Sequence, residues 1–325
     1  MKYYLGIDIG NSKNQYAIAD RDGNLIGISR GPGSNHQGIG IDETYKRLDE
    51  SINSLLKKTG TEKSQIVFAY LGVCGADSPE EFIMLRKTFR NLFGNVQFDF
   101  DNDGIIALKN GVENETGVVI TCGSGNTNFA VNTKGDISRI GGLCEYMGDM
   151  LGSVLIAKQA VHAAVRGYDG RGDLSTVLTS LICKEYNFKE IYEFIDLEID
   201  SDSEIVKTII KILFKAAELG DGVALEIIIG ITKEIYTITD TFASKMFDKD
   251  EIFRLVLDGH IFRANYPVLM NMINLSVLEK YNAKIIIPQT PPVLGALYFA
   301  YEKDGNKLNT KIINNLKETY KEIGD

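Results

Sequence analysis

The sequence contains a weak internal repeat, in which one kind of hairpin occurs twice. Residues 10–19, GNSKNQYAIA, align with residues 123–132, GSGNTNFAVN, when Gly10 is placed on Gly123. Each copy has an apolar strand before its turn, YYLGIDI or TGVVITC, and an alternating strand after it. These patterns are typical of a β-hairpin closed by a glycine-rich turn. Because each copy lies near the start of one half of the chain, the repeat predicts two domains of related plan.

The chain around the hairpins alternates strand and helix signals, which indicates α/β units. The length of 325 residues agrees with two domains, since one hydrophobic core rarely serves more than ~300 residues. We expect a first domain over residues 1–115, which a C-terminal helix over residues 309–325 rejoins. The second domain is expected over residues 116–308.

Composition and charge argue against several classes of protein. The net charge of -9 disfavours a nucleic-acid surface, because phosphate backbones select clusters of Lys and Arg. The N-terminal segment MKYYLGIDIG lacks the apolar run of a signal peptide, and no stretch reaches the ~20 apolar residues of a membrane span. We therefore expect a cytoplasmic protein whose function involves neither nucleic acid nor a membrane.

The cysteines are scattered along the chain and form no metal motif. They occur singly, with no CxxC pair and no histidine at zinc-ligand spacing. This pattern favours small apolar core residues over a metal cage or disulfides. The cysteines are Cys74, Cys122, Cys144 and Cys183.

The two glycine-rich turns have the chemistry of a phosphate site. Glycine leaves backbone N–H groups unblocked, and small hydroxyl or amide side chains add donors for the same anion. One such turn more often serves an ordinary hairpin, but two copies favour a pair of turns that bind phosphate. The predicted phosphate-binding residues are Gly10, Asn11, Ser12, Lys13, Gly123, Ser124, Gly125 and Asn126.

One carboxylate distinguishes the two copies of the hairpin. Asp8 lies in the strand before the first turn, where the second copy has Thr121. If both turns hold phosphates, a carboxylate in only one copy marks a Mg²⁺ position that is reached through metal-bound waters. The sequence therefore predicts a magnesium role for Asp8.

Five segments together carry a resemblance to a known family. Along the chain they are GIDIGNSK, SNHQGIG, DNDGIIAL, VVITCGSGN and GGLCEYMGDMLGS. In this order and spacing they resemble the BadF/BadG/BcrA/BcrD ATPase family, and within it the N-acetylglucosamine kinases, over nearly the whole chain. That family is part of the superfamily of sugar kinases, hexokinase, Hsp70 and actin. The resemblance implies an α/β, two-domain actin-like ATPase (ribonuclease H-like) fold with a central cleft for ATP and Mg²⁺.

The resemblance also implies roles for individual residues. It places the catalytic base at Asp103. It places the turn on the adenosine side of the nucleotide at Gly259 and His260. The sugar-binding residues that it implies are Asn35, His36, Gly141, Gly142 and Asp149.

Each of these roles has a purely structural alternative. Asp103 precedes the apolar run IIAL, as a helix N-cap does, and Asp149 is placed similarly before a helix. Asn35 can hold a left-handed turn, and the Gly-Gly pair can simply turn the chain. The acid and amide of FDND exceed what one cap needs, which favours Asp103 as a general base.

The residues and the resemblance together predict an ATP-dependent kinase for the 6-hydroxyl of a small-molecule amino sugar, N-acetylglucosamine, acting as a homodimer. Met150 and Leu151 stand where the family has Glu and Gly, so we expect a more apolar pocket that admits N-acetylmuramic acid. Two alternatives remain. One is the family's ATPase activators of 2-hydroxyacyl-CoA dehydratases and benzoyl-CoA reductases, whose cluster-binding cysteine motifs are not found in this sequence. The other is a sugar-binding regulator without catalysis.

Overall fold

The structure is a computed structural model that describes residues 2–113, 116–172, 175–200, 202–249 and 251–323. The chain forms two compact units. The first unit contains Met1–Glu115 and Pro288–Asp325, and the second contains Thr116–Ile287. No helix among the described residues combines the length and the apolar character that a membrane crossing requires.

Strands and helices alternate along much of the chain, as the sequence predicts. Short 3-10 segments occur at Lys63–Gln65, Glu145–Met147 and Ile191–Asp196. The strands are β1 (Tyr3–Ile9), β2 (Lys13–Asp20), β3 (Leu25–Pro32), β4 (Ile66–Val73), β5 (Gln97–Asn102), β6 (Gly117–Cys122), β7 (Asn126–Val131), β8 (Ile137–Arg139), β9 (Phe253–Asp258) and β10 (Ala283–Ile286). The α-helices are α1 (His36–Ile39), α2 (Ile41–Thr59), α3 (Pro79–Phe93), α4 (Asp103–Gly111), α5 (Ser153–Tyr168), α6 (Leu178–Tyr186), α7 (Ser203–Glu218), α8 (Gly222–Met246), α9 (His260–Arg263), α10 (Pro267–Leu278), α11 (Val293–Lys303) and α12 (Thr310–Ile323).

The first unit is built on a five-stranded sheet of order β3-β2-β1-β4-β5. Strands β1, β2 and β3 are antiparallel neighbours, whereas β1, β4 and β5 run parallel. The carboxyl ends of the three parallel strands therefore meet at one edge of the sheet. In open α/β sheets this edge is where ligands bind.

The second unit repeats this plan. Its sheet has the order β10-β9-β6-β7-β8, with β6, β7 and β8 antiparallel and β6, β9 and β10 parallel. Residues 10–12 separate β1 from β2, and residues 123–125 separate β6 from β7. Because strand order and turn length agree, the repeat that the sequence predicts is present in the structure.

The chain returns to the first unit at Pro288, earlier than the predicted residue 309. Helix α11 lies in this unit, and its residues from Val293 to Tyr301 are all buried. Its close approach to β1 depends on Gly6, where a Cβ atom would lie 2.7 Å from the carbonyl oxygen of Val293. An apolar helix has the same local pattern in either unit, so only tertiary packing decides where it belongs.

Local signals explain where two helices of the first unit end or begin. Helix α2 ends at Gly60, whose φ of 65° is left-handed, as the sequence predicts for a glycine C-cap. Helix α3 begins with a capping box between Ser78 and Glu81, with Pro79 in its first turn. Gly60 therefore fixes the end of α2 before β4 begins, and the capping box fixes the start of α3 at the carboxyl edge of the sheet.

Candidate functional site

A backbone hydrogen bond fixes the first predicted phosphate turn, and the side chains of the turn are exposed. The N–H of Ser34 donates to the carbonyl oxygen of Gly10 at 3.1 Å. Asn11, Ser12 and Lys13 are all exposed. The turn can therefore present backbone and side-chain donors to an anion while its base stays fixed.

Asn14 fixes this turn, and the sequence analysis missed it. Its side chain is fully buried, and its Oδ1 accepts a hydrogen bond from the N–H of Gly10 at 3.2 Å. Its Nδ2 donates to the hydroxyls of Tyr16 at 2.9 Å and Ser34 at 2.7 Å. An asparagine at the start of a buried strand, directly after a glycine turn, was the available signal.

Asp8 lies next to the carboxyl end of β1 and is partly buried. In the sheet it is in register with Gly72 of β4 and, beyond it, with Asp101 of β5. Residues paired across parallel strands point to the same face. Helix α4 packs on this face, because a Cβ atom on Gly72 would overlap the side chain of Ile106. Asp8 therefore points to the face covered by the helix that begins with Asp103.

Asn35 and His36 lie at the start of α1 beside the first turn. Asn35 is the N-cap, and its Oδ1 accepts a hydrogen bond from the N–H of Gln37 at 3.0 Å. Its Nδ2 donates to Oδ1 of Asn11 at 2.6 Å. The side chain of His36 is only 5% exposed, with Nε2 3.5 Å from Oε1 of Glu81. Asn35 is thus partly exposed, whereas His36 is buried.

The loop between β4 and α3 joins this site, although the sequence analysis did not include it. Asp77 accepts a hydrogen bond from Nδ2 of Asn102 at 2.9 Å, and Glu81 accepts one from Nε2 of Gln37 at 2.6 Å. Burial opposes ionisation of Glu81, but hydrogen bonds from Gln37, Asp77 and Ser78 lower its pKa. An ionised Glu81 therefore ties the α1 turn to this loop.

Asp103 is the first residue of α4, at the carboxyl edge of the first sheet. The N-cap of α4 is Asn102, whose Oδ1 accepts a hydrogen bond from the N–H of Gly104 at 2.9 Å. The alternative in which Asp103 is the cap is therefore wrong. Its carboxylate is partly exposed, which suits a group that exchanges a proton with a substrate.

A second carboxylate, Asp101, flanks the same asparagine. Its Oδ1 accepts a hydrogen bond from the backbone N–H of Asn102 at 2.8 Å. Burial raises the pKa of Asp101, that hydrogen bond lowers it, and the nearby carboxylate of Asp99 raises it further. Asp101 therefore favours its neutral form more than an exposed aspartate does.

The second predicted phosphate turn packs against the start of α5. Gly123, Ser124 and Gly125 are exposed. The N–H of Ser153 donates to the carbonyl oxygen of Gly123 at 2.9 Å. At the position equivalent to Asp8, the hydroxyl of Thr121 accepts the N–H of Thr127 at 2.8 Å. The second turn is therefore ordered by a neutral hydroxyl where the first has a carboxylate.

Asn126, the last predicted residue of this turn, is buried and structural. Its Nδ2 donates to the carbonyl oxygen of Thr121 at 2.6 Å and to Oδ1 of Asn128 at 2.9 Å. Nδ2 of Asn128 in turn donates to Oδ1 of Asn126 at 2.7 Å. Because both Nδ2 and Oδ1 of Asn126 already have hydrogen-bond partners, a phosphate contact from Asn126 would use its backbone.

The predicted sugar residues of the second unit form one loop. Gly141 and Gly142 have φ angles of 59° and 73°, a left-handed conformation that favours glycine. Oδ1 of the buried Asp149 accepts a hydrogen bond from the N–H of Gly142 at 2.8 Å. Helix α5 begins only at Ser153 with Gly152 as its N-cap, so Asp149 does not cap it. The Gly-Gly pair and Asp149, which follows Gly142 by seven positions, are thus brought together.

The side chains that follow Asp149 point in different directions. Met150 is 52% exposed, whereas Leu151 is 2% exposed and packs in the core of the second unit. The expectation that Leu151 lines a sugar pocket is therefore wrong, and only Met150 is placed to contact a ligand.

Glu234 of α8 is a partly buried acid near Asp149 that the sequence analysis missed. Burial raises its pKa, and the negative charge of Asp149 raises it further. Perturbed acids with an identifiable charged neighbour are concentrated at functional sites. Within a helix of mainly apolar pattern, no local signal distinguishes this glutamate from a surface residue.

The turn that is predicted to lie on the adenosine side, at Gly259 and His260, packs directly beside the second predicted phosphate turn. Gly259 has a φ of 134°, and a Cβ atom there would overlap the carbonyl oxygen of Cys122. His260 is exposed, and its pKa is lowered by partial burial and by the positive charges of Lys207 and Arg263. A neutral imidazole at this position can stack on or hydrogen-bond to a nucleoside.

One of the four cysteines, Cys122, is buried, and the other three are partly exposed. All four are free thiols, and burial raises the pKa of Cys122 to about 12. Within the described residues, no three His, Cys, Asp or Glu side chains are grouped so that they could hold a metal ion.

Two curated relatives resemble the chain over most of its length. It is 25% identical to N-acetyl-D-glucosamine kinase of Dictyostelium discoideum over 312 residues, 91% of this chain and 97% of that protein. It is 26% identical to N-acetylmuramic acid/N-acetylglucosamine kinase of Clostridium acetobutylicum over 311 residues, 95% of this chain and 91% of that protein.

Solved structures share the fold at low sequence identity. A candidate N-acetylglucosamine kinase from Chromobacterium violaceum has a TM-score of 0.69 and 16% identity, covering 91% of this chain and 98% of that chain. A ROK family glucokinase from Streptomyces griseus, in complex with glucose and AMPPNP, has a TM-score of 0.59 and 14% identity, covering 92% and 99%. The predicted α/β, two-domain actin-like ATPase fold class is confirmed.

A family model matches almost the whole chain, in agreement with the segments that carried the resemblance. The matched region is residues 5–300, and it includes both predicted phosphate turns, Asp103 and the adenosine-side turn. The protein therefore belongs to the BadF/BadG/BcrA/BcrD ATPase family.

Proposed function

We propose that the protein is an ATP-dependent kinase that transfers the γ-phosphoryl group to the 6-hydroxyl of an amino sugar. The proposed substrate is N-acetylglucosamine, with N-acetylmuramic acid as a second substrate. N-acetylglucosamine occurs in the names of both curated relatives, and N-acetylmuramic acid occurs in the name of the relative from Clostridium acetobutylicum. Assembly as a homodimer and a cytoplasmic location remain predictions.

One observation carries this proposal. At the carboxyl edge of the first sheet, three sequence-distant elements converge, namely the turn after β1, the α1 turn and the start of α4. Asn11 of the first element contacts Asn35 of the second, and the loop after β4 links the second to Asn102 through Asp77 and Glu81. This edge of the sheet therefore combines a turn for phosphate, a polar side chain for the sugar and a carboxylate. Such a combination suits phosphoryl transfer to a hydroxyl.

The proposed chemical roles follow from this placement. The 6-oxygen of the sugar attacks the γ-phosphorus, the bond between that phosphorus and ADP breaks, and the hydroxyl proton passes to the Asp103 carboxylate. Asn35 and Asp149 hydrogen-bond the sugar hydroxyls, with the Gly141-Gly142 backbone against the ring. The turns at Gly10–Lys13 and Gly123–Asn126 bind the phosphates, and the turn at Gly259 and His260 contacts the adenosine.

The donor set fits a magnesium ion that is bound mainly by water and nucleotide. Mg²⁺ usually takes one or two carboxylates and keeps several waters. Asp8 is a single carboxylate at the strand end that precedes the first turn, and the described residues contain no preformed metal cage. In this proposal Asp8 holds the ion, which when bound supplies charge neutralisation to the phosphates.

The test is a panel of sugars assayed for sugar-dependent ADP release with the purified protein. The expected order of kcat/KM places N-acetylglucosamine and N-acetylmuramic acid above glucosamine and glucose. A buried hydrogen-bonding group left unpaired by the wrong sugar costs about 1–3 kcal/mol. The position of the new phosphate is read by NMR, which should show the 6-phosphate.

A matched variant pair tests the sugar contact. Asn35→Ser retains an N-cap oxygen for α1 but removes the amide, so kcat/KM for the sugar should fall while the protein stays folded. Asn53→Ala, on the exposed face of α2, is the control. Preference for glucose over every amino sugar, or an unchanged Asn35→Ser enzyme, would contradict the proposal. Sugar binding without ADP release would instead support a regulator.

A further inference from the structure

The side-chain amide of Asn35 is already occupied. Its two N–H donors are directed to Oδ1 of Asn11 at 2.6 Å and to the sulfur of Cys74 at 3.6 Å. Its oxygen accepts the N–H of Gln37 at 3.0 Å. A primary amide has two donors, so Asn35 can donate to a sugar oxygen only after it gives up one of these partners.

Asn11 is the partner that can be released most easily. The side chain of Asn11 is exposed and that of Asn35 is partly exposed, so water can take the place of Asn11 at little cost. The thiol of Cys74 is only partly exposed, and the bond to Gln37 orders the start of α1.

The backbone of the first turn cannot move when the side chain of Asn11 moves. A Cβ atom on Gly33 would overlap the carbonyl oxygen of Asn11, so the two chain segments are in close contact. The N–H of Ser34 also donates to the carbonyl oxygen of Gly10 at 3.1 Å. Release of Asn35 therefore reorients the Asn11 side chain while the turn itself stays in place.

We propose that Asn11 is a positioning residue that couples sugar binding to nucleotide binding. The sugar and Asn11 compete for the same N–H of Asn35. When the sugar accepts this N–H, the side chain of Asn11 is released from Asn35. Its own amide N–H groups can then point toward the anion that the first turn binds and donate to a phosphate oxygen. This inference rests on the proposed function, and it adds a link between two subsites within the first unit.

The proposal has a thermodynamic consequence. If sugar binding makes the Asn11 amide available to phosphate, then the sugar tightens nucleotide binding, and the nucleotide tightens sugar binding by the same factor. Loss of the Asn11 side chain should remove both the competition and this coupling.

The first measurement is calorimetric titration of N-acetylglucosamine without nucleotide. Asn11→Ala removes the competitor, and sugar affinity should rise roughly two- to tenfold, the worth of one exposed hydrogen bond. Asn11→Asp offers Asn35 a charged and stronger acceptor, so sugar affinity should fall below that of the wild type. Asn53→Ala, whose amide hydrogen-bonds Asp49 on α2, is the control and should bind like the wild type.

The second measurement repeats the titration of AMPPNP with Mg²⁺, with and without saturating N-acetylglucosamine. In the wild type the sugar should tighten AMPPNP binding, and in Asn11→Ala that tightening should be lost. Neither readout needs phosphoryl transfer, so both remain informative if turnover is slow.

The outcomes separate this inference from the proposed function. Asn11→Ala protein that binds the sugar with unchanged or weaker affinity would overturn the competition, while wild-type sugar binding would leave the kinase proposal standing. Equal coupling in wild type and Asn11→Ala would overturn the link to the nucleotide. A wild-type protein that binds no amino sugar would overturn both proposals.

Discussion

Replacing Asp103 by Asn tests the proposed role of Asp103 as proton acceptor with little effect on the folding stability of the protein. Asn is nearly the same size as Asp, and its oxygen can still accept the N–H of Gly104, which Oδ1 of Asp103 accepts at 3.0 Å. The N-cap of α4 is unaffected, because Asn102 provides it. The substitution therefore removes a proton acceptor and one charge, with little change in packing.

The two expected effects differ in size. Loss of a general base slows turnover about 100- to 10,000-fold, which is about 2.7–5.4 kcal/mol in the barrier. Loss of one negative charge from the first turn of a helix costs about 0.3–1 kcal/mol of folding stability. An activity loss of this size therefore cannot come from unfolding.

The assay is sugar-dependent ADP release in Asp103→Asn, with urea denaturation and sugar titration on the same protein. We expect kcat to fall within that range, sugar affinity to change little, and the free energy of unfolding to fall by no more than about 1 kcal/mol. Asp101→Asn is the matched control, because it removes the neighbouring acid on the other side of Asn102. Its turnover should stay near that of the wild type.

Two results would refute this reasoning. Near wild-type turnover in Asp103→Asn would show that another group accepts the proton. A larger loss in Asp101→Asn than in Asp103→Asn would move the base to Asp101.

Three further predictions concern stability, pH and metal content. Asn14→Ala should lower the free energy of unfolding by about 2–3 kcal/mol in urea titrations, because it leaves buried hydrogen-bonding groups without a partner; a loss no larger than that of Asn53→Ala would contradict this. Burial raises the pKa of Asp101, so its stabilising contribution is present below the unfolded-state pKa of about 3.9 and is lost as pH rises through the folded-state value. Asp101→Asn should therefore melt above the wild type at pH 7, with a gain that shrinks toward pH ~4; a constant gain would disprove the assignment. Protein purified without oxygen should be colourless and free of stoichiometric iron, since the Cys122 thiol is buried with its pKa raised to about 12, whereas a reducible cluster would favour the activator.

Much of the site was predictable because its parts carry local signals. The glycine turns and the DND segment are each visible within about ten residues, since strand alternation and turn chemistry act over that range. The Asp8–Thr121 asymmetry becomes visible once the two hairpins are aligned. Their assignment to phosphate, metal and base still depended on the family resemblance. These individual roles stay predictions.

The supporting residues were not predictable in the same way. Asn14, Asp77 and Glu81 hold the site through partners 20 to 44 positions away, as in the bonds from Asn14 to Ser34 and from Gln37 to Glu81. A buried asparagine and a surface asparagine have the same local pattern until the fold assigns their partners. The roles of Asn102 as cap and Asp103 as its neighbour were also ambiguous, because either residue type can cap a helix.

The sequence by itself determined the duplicated plan of the protein, since repeated local patterns produce two sheets of the same strand order. Only the tertiary structure decided that α11 belongs to the first unit, that Leu151 is in the core, and that Asn11 contacts Asn35. The physical reason is the separation along the chain over which each interaction acts. Hydrophobic periodicity and turn preference act between near neighbours, whereas the close approach of Gly6 to α11 depends on segments that meet only when the chain is folded.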